Sequence, residues 1–165
     1  MFSENTMVWQ MPLEQFLKTE YVKSNLLAKT KVAALNELVD TVIHAGLKLE
    51  SPLIVEILMQ RENLGSTGIG DGVAIPHGKT SAIDDLVVAF GRSMEGIDYD
   101  SADGKPAHLF FLLLAPENSA GRHLKVLARI SKMLKIENFR EMLLKAKSSN
   151  DLYKIIIEQE KICVS

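Results

Sequence analysis

The residues best suited to chemistry lie in GVAIPHGKT, Gly72 to Thr80, where His77 stands between a proline and a glycine. Gly78-Lys79-Thr80 has the order that closes a nucleotide-phosphate loop, so two kinds of phosphate chemistry compete for the segment. A nucleotide loop needs four residues between its first glycine and the closing Gly-Lys-Ser/Thr. Here five residues, Val73 to His77, separate Gly72 from Gly78. The context is also wrong, because such a loop follows a strand and wraps phosphate with its amides at a helix start. Here the β-forming run Val73-Ala74-Ile75 sits inside the loop, and Pro76 removes an amide donor. The sequence after Thr80, SAIDDLVVAF, turns into strand rather than helix. The nucleotide reading fails.

What remains is a histidine at the end of a short strand, its backbone fixed by Pro76 and its ring left uncovered by Gly78. A histidine so placed can act as nucleophile, general base or metal ligand. On residue chemistry alone, a turn histidine that only hydrogen-bonds a neighbouring carbonyl fits equally well. No pair among His44, His77, His108 and His123 has a zinc-ligand spacing, and Cys163 is the single cysteine. A metal site is not expected. His108 reads as structural, and His44 reads as a solvent-facing helix-end residue favoured by the dipole.

The elements that must position these groups follow from periodicity. A short helix is expected from Pro12 with Leu13, Phe16 and Leu17 inward. Thr30 can cap a helix with the stripe Leu35, Leu38, Val39, Val42 and Ile43, ending near Gly46. Ser51-Pro52 reads as the cap and first residue of the next helix, with Ile54, Ile57 and Leu58 inward and Gly65 as its stop. Arg61 then falls on its last turn. Val73–Ile75, Leu86–Phe90 and His108–Leu114 read as strands, with an Asp103-Gly104 turn between the last two. HLFFLLLA is apolar almost throughout, as in a central strand covered on both faces. Three helices follow, marked by Leu124, Leu127, Ile130 and Leu134, by Phe139, Met142 and Leu143, and by Leu152, Ile155 and Ile156. The expected fold class is α/β, a single domain over 1–165 with a central mixed β-sheet flanked by helices on both faces.

Composition narrows the function classes. The chain has 165 residues, 47% hydrophobic and 24% charged, with a formal net charge of −2, so no general drive toward nucleic acid or anionic membrane is present. MFSENTMVWQMPLEQFL lacks a basic leader followed by an apolar core, and no run reaches the ~20 apolar residues of a membrane span. With one cysteine there is no internal disulfide, and a reducing cytoplasm is expected.

The flanks of His77 carry a resemblance. RENLGSTGIGDGVAIPHGK, Arg61 to Lys79, resembles the signature of the enzyme IIA domains of the bacterial sugar phosphotransferase system, in the fructose–mannitol and nitrogen-regulatory superfamily. HLFFLLLAPENSAGRHLKVLARISKML resembles that family's second block, and the likeness runs from about Leu13 to Ile157. The resemblance implies that His77 is phosphorylated by an HPr-type phosphocarrier and that Arg61 and His123 are active-site residues. It implies no cofactor. It leaves two roles open: a nitrogen-type regulator that binds target proteins according to its phosphorylation state, or a free-standing sugar-transport IIA that passes the phosphoryl group to a IIB cysteine. The absence of an attached IIB or membrane domain and the wording of PENSAGRHLKVLARIS favour the nitrogen type. A third possibility is an interaction module that carries no phosphate, but such a module is expected to have lost His77 or Arg61.

Phosphoryl transfer fits the residues. It requires a neutral imidazole with a free lone pair, its other nitrogen tied to a carbonyl, and donors for the phosphoryl oxygens. Arg61 can supply a charge-assisted fork, and the GSTGIGDG loop can bring the Gly68 amide and the Ser66 or Thr67 hydroxyl toward the phosphate. Without the resemblance, Arg61 reads as a helix-end cation and His123 as a surface residue at a helix start. The partner-facing surface is expected to be an apolar rim of Ile69, Val73 and Ile75, provided their side chains point outward.

Overall fold

The structure, a computed structural model, describes residues 11–164. Most of the opening segment read above for a leader lies outside the described residues. The short helix expected from Pro12 is a single 3-10 turn, Leu13–Gln15, and Leu13, Phe16 and Leu17 are all buried as expected. After the two-residue strand β1 (Val22–Lys23), Thr30 caps helix α1 (Lys31–His44), its Oγ1 accepting the Ala33 N–H at 3.2 Å. Ala34, Leu35, Leu38, Val39 and Val42 form the buried stripe of α1, and Gly46 adopts a left-handed φ of 113° just past its end. Helix α2 (Ser51–Asn63) begins one residue earlier than expected, with Glu50 at the cap position. Ser51 is helical instead, because its hydroxyl is used elsewhere: it donates to Asn36 Oδ1 of α1 at 2.7 Å.

Among the described residues, six strands make one mixed sheet. β2 (Gly68–Gly70) and β3 (Val73–Ala74) form an antiparallel pair, while β3 and β4 (His77–Lys79) both run parallel to β6 (Ala107–Ala115). β5 (Val87–Ile97) is antiparallel to β6 and parallel to β1, giving the order β1-β5-β6-β3-β2 with β4 alongside β6. The continuous apolar run of β6 is buried from Leu109 to Ala115, the pattern of a strand covered on both faces. Ser101 to Gly104 makes the expected turn, Gly104 N–H donating to Ser101 O at 2.9 Å. The Asp103 carboxylate accepts the amides of Lys105 and Asp71, which hold its pKa below the usual value.

Helices α3 (Arg122–Leu134), α4 (Glu137–Lys145) and α5 (Ser149–Val164) complete the chain. Two neighbours on β5 locate the helical layers. A Cβ at Gly91 would come within 2.7 Å of Leu38 of α1, whereas Arg92 reaches the opposite face and donates through Nη1 to Leu143 O of α4 at 2.8 Å and to Ala146 O at 2.6 Å. The sheet lies between helices on both faces, as its alternation requires.

Candidate functional site

A cleft of about 340 Å³ opens at the carboxyl ends of β4 and β6, where ligands gather in α/β folds. It is lined by Arg61 and Leu64 at the end of α2, by His77 and Lys79 of β4, and by His123 at the start of α3, among others. Arg61, His77 and His123 come from segments far apart in sequence, and the fold brings all three to one cavity.

β4 fixes the position of His77. His77 sits opposite Leu113 of β6, and flanking bonds from Leu113 N to Pro76 O (3.0 Å) and from Thr80 N to Ala115 O (2.9 Å) pin the segment at both ends. The His77 Nδ1–H donates to Ile75 O at 2.9 Å. This bond sets the tautomer and leaves Nε2 with the lone pair. Gly78 is required here by space, since a Cβ would lie 2.8 Å from Ile57 Cγ2 of α2.

Arg61 stands on the last turn of α2 and spends one guanidinium donor, Nη1, on Gly65 O at 2.9 Å. That bond holds the side chain across the helix end and leaves its remaining N–H groups for an anion. The next residue, Glu62, points the other way, its side chain only 1% exposed. It accepts the Thr67 N–H at 3.1 Å and the Thr67 hydroxyl, and Lys31 Nζ lies 3.2 Å away. Lys31 also stacks over the Tyr99 ring at 4.6 Å. Burial, with the nearby Glu62 charge, raises the Tyr99 phenol well above its ordinary value.

This network takes up the loop groups that the sequence directed toward phosphate. Thr67 is buried on Glu62, Ser66 Oγ donates to Tyr99 O at 2.7 Å, and the Gly68 amide donates to Ser66 Oγ at 3.0 Å. None of Ser66, Thr67 and Gly68 lines the cleft. Glycine is needed at 68 because a Cβ would press on Ser101.

His123 is the second residue of α3, and its Nδ1 lies 2.6 Å from Ser119 Oγ. Partial burial lowers its pKa, and the nearby Lys79 charge lowers it further. His108 is tied through Nδ1 to Ser93 O at 2.9 Å and is structural, while His44 is exposed at the end of α1. Among the described residues no group of three or more His, Cys, Asp or Glu is arranged to hold a metal ion, and no helix is long and apolar enough to cross a membrane.

The expected apolar rim needs correction. Val73 and Ile75 are 1% and 3% exposed because both face the core beneath the sheet, and only Ile69, at 45%, meets solvent. Among the apolar residues that line the cleft, Leu64 is 85% exposed, and Leu124, the residue after His123 in the chain, is 59% exposed.

A fold and cleft of this kind have known counterparts. The family model described as phosphoenolpyruvate-dependent sugar phosphotransferase system, EIIA 2, matches residues 15–159. The chain belongs to this EIIA family. The fructose-specific EIIABC component of Bacillus subtilis is 38% identical over 151 residues, covering 92% of this chain but only 24% of that longer protein. A nitrogen regulatory protein of Bradyrhizobium diazoefficiens is 36% identical over 146 residues, 88% of this chain and 95% of its own length. The crystal structure of the nitrogen regulatory protein IIA-Ntr from Neisseria meningitidis superimposes with a TM-score of 0.81 at 33% identity, covering 87% of this chain and 98% of that one.

One residue of the cleft and one beneath it in this EIIA chain escaped the sequence reading. Lys79 lines the cavity, and in the sequence it stands only as the lysine of a nucleotide-loop order that fails on spacing. Ser119 bonds His123 from four residues upstream, and that spacing in SAGRH was the signal available.

Proposed function

We propose that this EIIA protein is a cytoplasmic phosphocarrier that accepts a phosphoryl group on His77 Nε2 from the phosphohistidine of an HPr-type carrier and serves in nitrogen-type regulation. The observation that carries the reading is the His77 Nδ1–H bond to Ile75 O, which leaves Nε2 nucleophilic in a cleft shared with Arg61 and His123. In the transfer, the Nε2 lone pair forms the new P–N bond as the donor's P–N bond breaks. The departing imidazole keeps the electron pair of the broken bond and takes up a proton from solvent, while His77 retains its own on Nδ1. Arg61 stabilises the charge spread over the transferring group, and a neutral His123 donates one hydrogen bond to it. Ser66, Thr67 and Gly68 act indirectly in this reading, by holding the loop onto which Arg61 is tied.

Relatives called nitrogen regulatory proteins, matched over nearly their full length, support the regulatory role. The identity to fructose-specific components supports a second reading, in which the phosphoryl group passes on to a IIB cysteine. Mass spectrometry after incubation with phosphoenolpyruvate, enzyme I and an HPr-type carrier tests the common claim. One added phosphate mapped to His77 is expected, and no phosphorylation with any such carrier overturns it. Rapid loss of that phosphate to an added IIB domain distinguishes the transport reading from the regulatory one.

A further inference from the structure

The two histidines of the cleft are held in different ways. His77 donates from Nδ1 to a backbone carbonyl, whereas His123 Nδ1 faces a side-chain hydroxyl 2.6 Å away, which can give or take the proton. We infer that Ser119 is a positioning residue that donates its hydroxyl proton to His123 Nδ1, so that His123 carries its own proton on Nε2 and presents it to the phosphoryl group on His77. The inference rests on the phosphocarrier reading for the last step, while the tautomer itself stands apart from it.

Charge balance leads to this assignment. A neutral imidazole has one N–H. If Nδ1 carried it, Ser119 would accept it and the Nε2 lone pair would repel the oxygens of a phosphoryl dianion. If Ser119 donates, Nε2–H is the donor that a phosphoryl acceptor requires. Burial, and next the positive charge of Lys79, hold the His123 pKa below its ordinary value and favour the neutral ring, so the choice between the two tautomers is a real one. Ser119 is well placed to decide it. It is only 3% exposed, and no other side chain competes for its hydroxyl among the described residues.

The chain around Ser119 is shaped to aim it. Ser119 N–H donates to Pro116 O and Ser119 O accepts from Arg122 N, closing two successive turns. Between them Ala120 takes a left-handed φ of 54°, costly for a residue with a Cβ, and Gly121 follows at 82°. The two left-handed residues fold the segment back so that a hydroxyl preceding the helix meets a ring on its first turn.

The test combines a direct readout of the tautomer with a kinetic cycle. In the unphosphorylated protein, 15N ring shifts at neutral pH are expected to show His123 Nε2 as the protonated nitrogen and Nδ1 as a hydrogen-bonded acceptor, with the Nδ1 signal moving in Ser119→Ala. A protonated Nδ1 overturns the inference whether or not His77 accepts phosphate. Transfer from a phosphorylated HPr-type carrier should slow roughly 3- to 10-fold in Ser119→Ala, the size of one neutral hydrogen bond. Ser119→Thr, which keeps the hydroxyl, should restore it. In a His123→Ala background, Ser119→Ala should have no further effect. Equal slowing in both backgrounds, or none in the wild-type background, refutes a role acting through His123. Absence of any phosphate on wild-type His77 defeats the phosphocarrier reading and with it the kinetic half of this inference, while the ring shifts still decide the tautomer.

Discussion

Gly78→Ala probes how the strand that carries His77 is fitted under the helix that carries Arg61. The added Cβ would lie 2.8 Å from Ile57 Cγ2 and 3.5 Å from Leu58 Cδ2. Carbon atoms settle at about 3.5–4.0 Å, so the Ile57 contact is roughly 0.7 Å too short. Ile57 is β-branched, and its Cγ2 moves only with χ1 or with the helix backbone. The strain is therefore expected to reach α2 itself at an overpacking cost of about 1–3 kcal/mol. For a chain of this length each kcal/mol moves Tm by about 2–4 °C, which gives a fall of roughly 2–12 °C. Arg61 is one helical turn beyond Ile57, so transfer to His77 should slow as well. Thermal melts and transfer kinetics on Gly78→Ala, Ile57→Ala and the double variant provide the assay. The double variant should lose less stability than the two single changes added together, because removing Cγ2 makes room for the new methyl. An unchanged Tm in Gly78→Ala, or strict additivity in the double variant, refutes the packing argument.

Arg61→Ala is expected to slow phosphoryl transfer by up to ~10²–10³, the usual loss for one well-placed transition-state donor, and Arg61→Lys to fall between it and wild type because charge survives and the fork does not; rapid-quench rates for Arg61→Ala equal to wild type would reduce Arg61 to a helix-end cation. Arg92→Leu should destabilise the fold by roughly 2–4 kcal/mol in chemical denaturation, since it leaves Ser24 O, Leu143 O and Ala146 O without their guanidinium donor. His123 has a folded-state pKa below its ordinary 6.5, so the unfolded chain binds more protons on the acid side; its contribution is intact above about 6.5 and is lost as pH falls through the lowered value. His123→Gln should accordingly flatten that part of the stability–pH curve, and a curve superimposable on wild type would contradict the shift.

Much of the fold was legible because periodicity and caps agree locally, as at Thr30 and along Leu35 to Val42. The sheet was harder to read where polar side chains are buried. β5 continues through Gly-Arg-Ser-Met-Glu-Gly to Ile97, and Arg92 hides there only because carbonyls from distant segments receive it. No local pattern announces such partners. The two-residue strand β1 and the glycine strand β2 carry too little side-chain signal to be seen. Of the candidate site, the three residues that share the cleft, Arg61, His77 and His123, each stand inside a segment the sequence singled out. Their support was not legible, because the roles of Ser66 and Thr67 depend on Glu62 and Tyr99, and a hydroxyl in a glycine-rich loop suits a phosphate or a buried carboxylate equally well.

The central claim is tested most directly by locating the phosphorus atom. The protein, labelled with 15N at its histidine rings and phosphorylated by an HPr-type carrier, can be examined by 31P and 15N NMR for the P–N coupling and for the ring proton of His77. Phosphorus bonded to Nε2 of His77, with the Nδ1 proton still present and hydrogen-bonded to Ile75 O, is the predicted result. Phosphorus on Nδ1 of His77, or full phosphorylation of His77→Ala at another histidine, would contradict it.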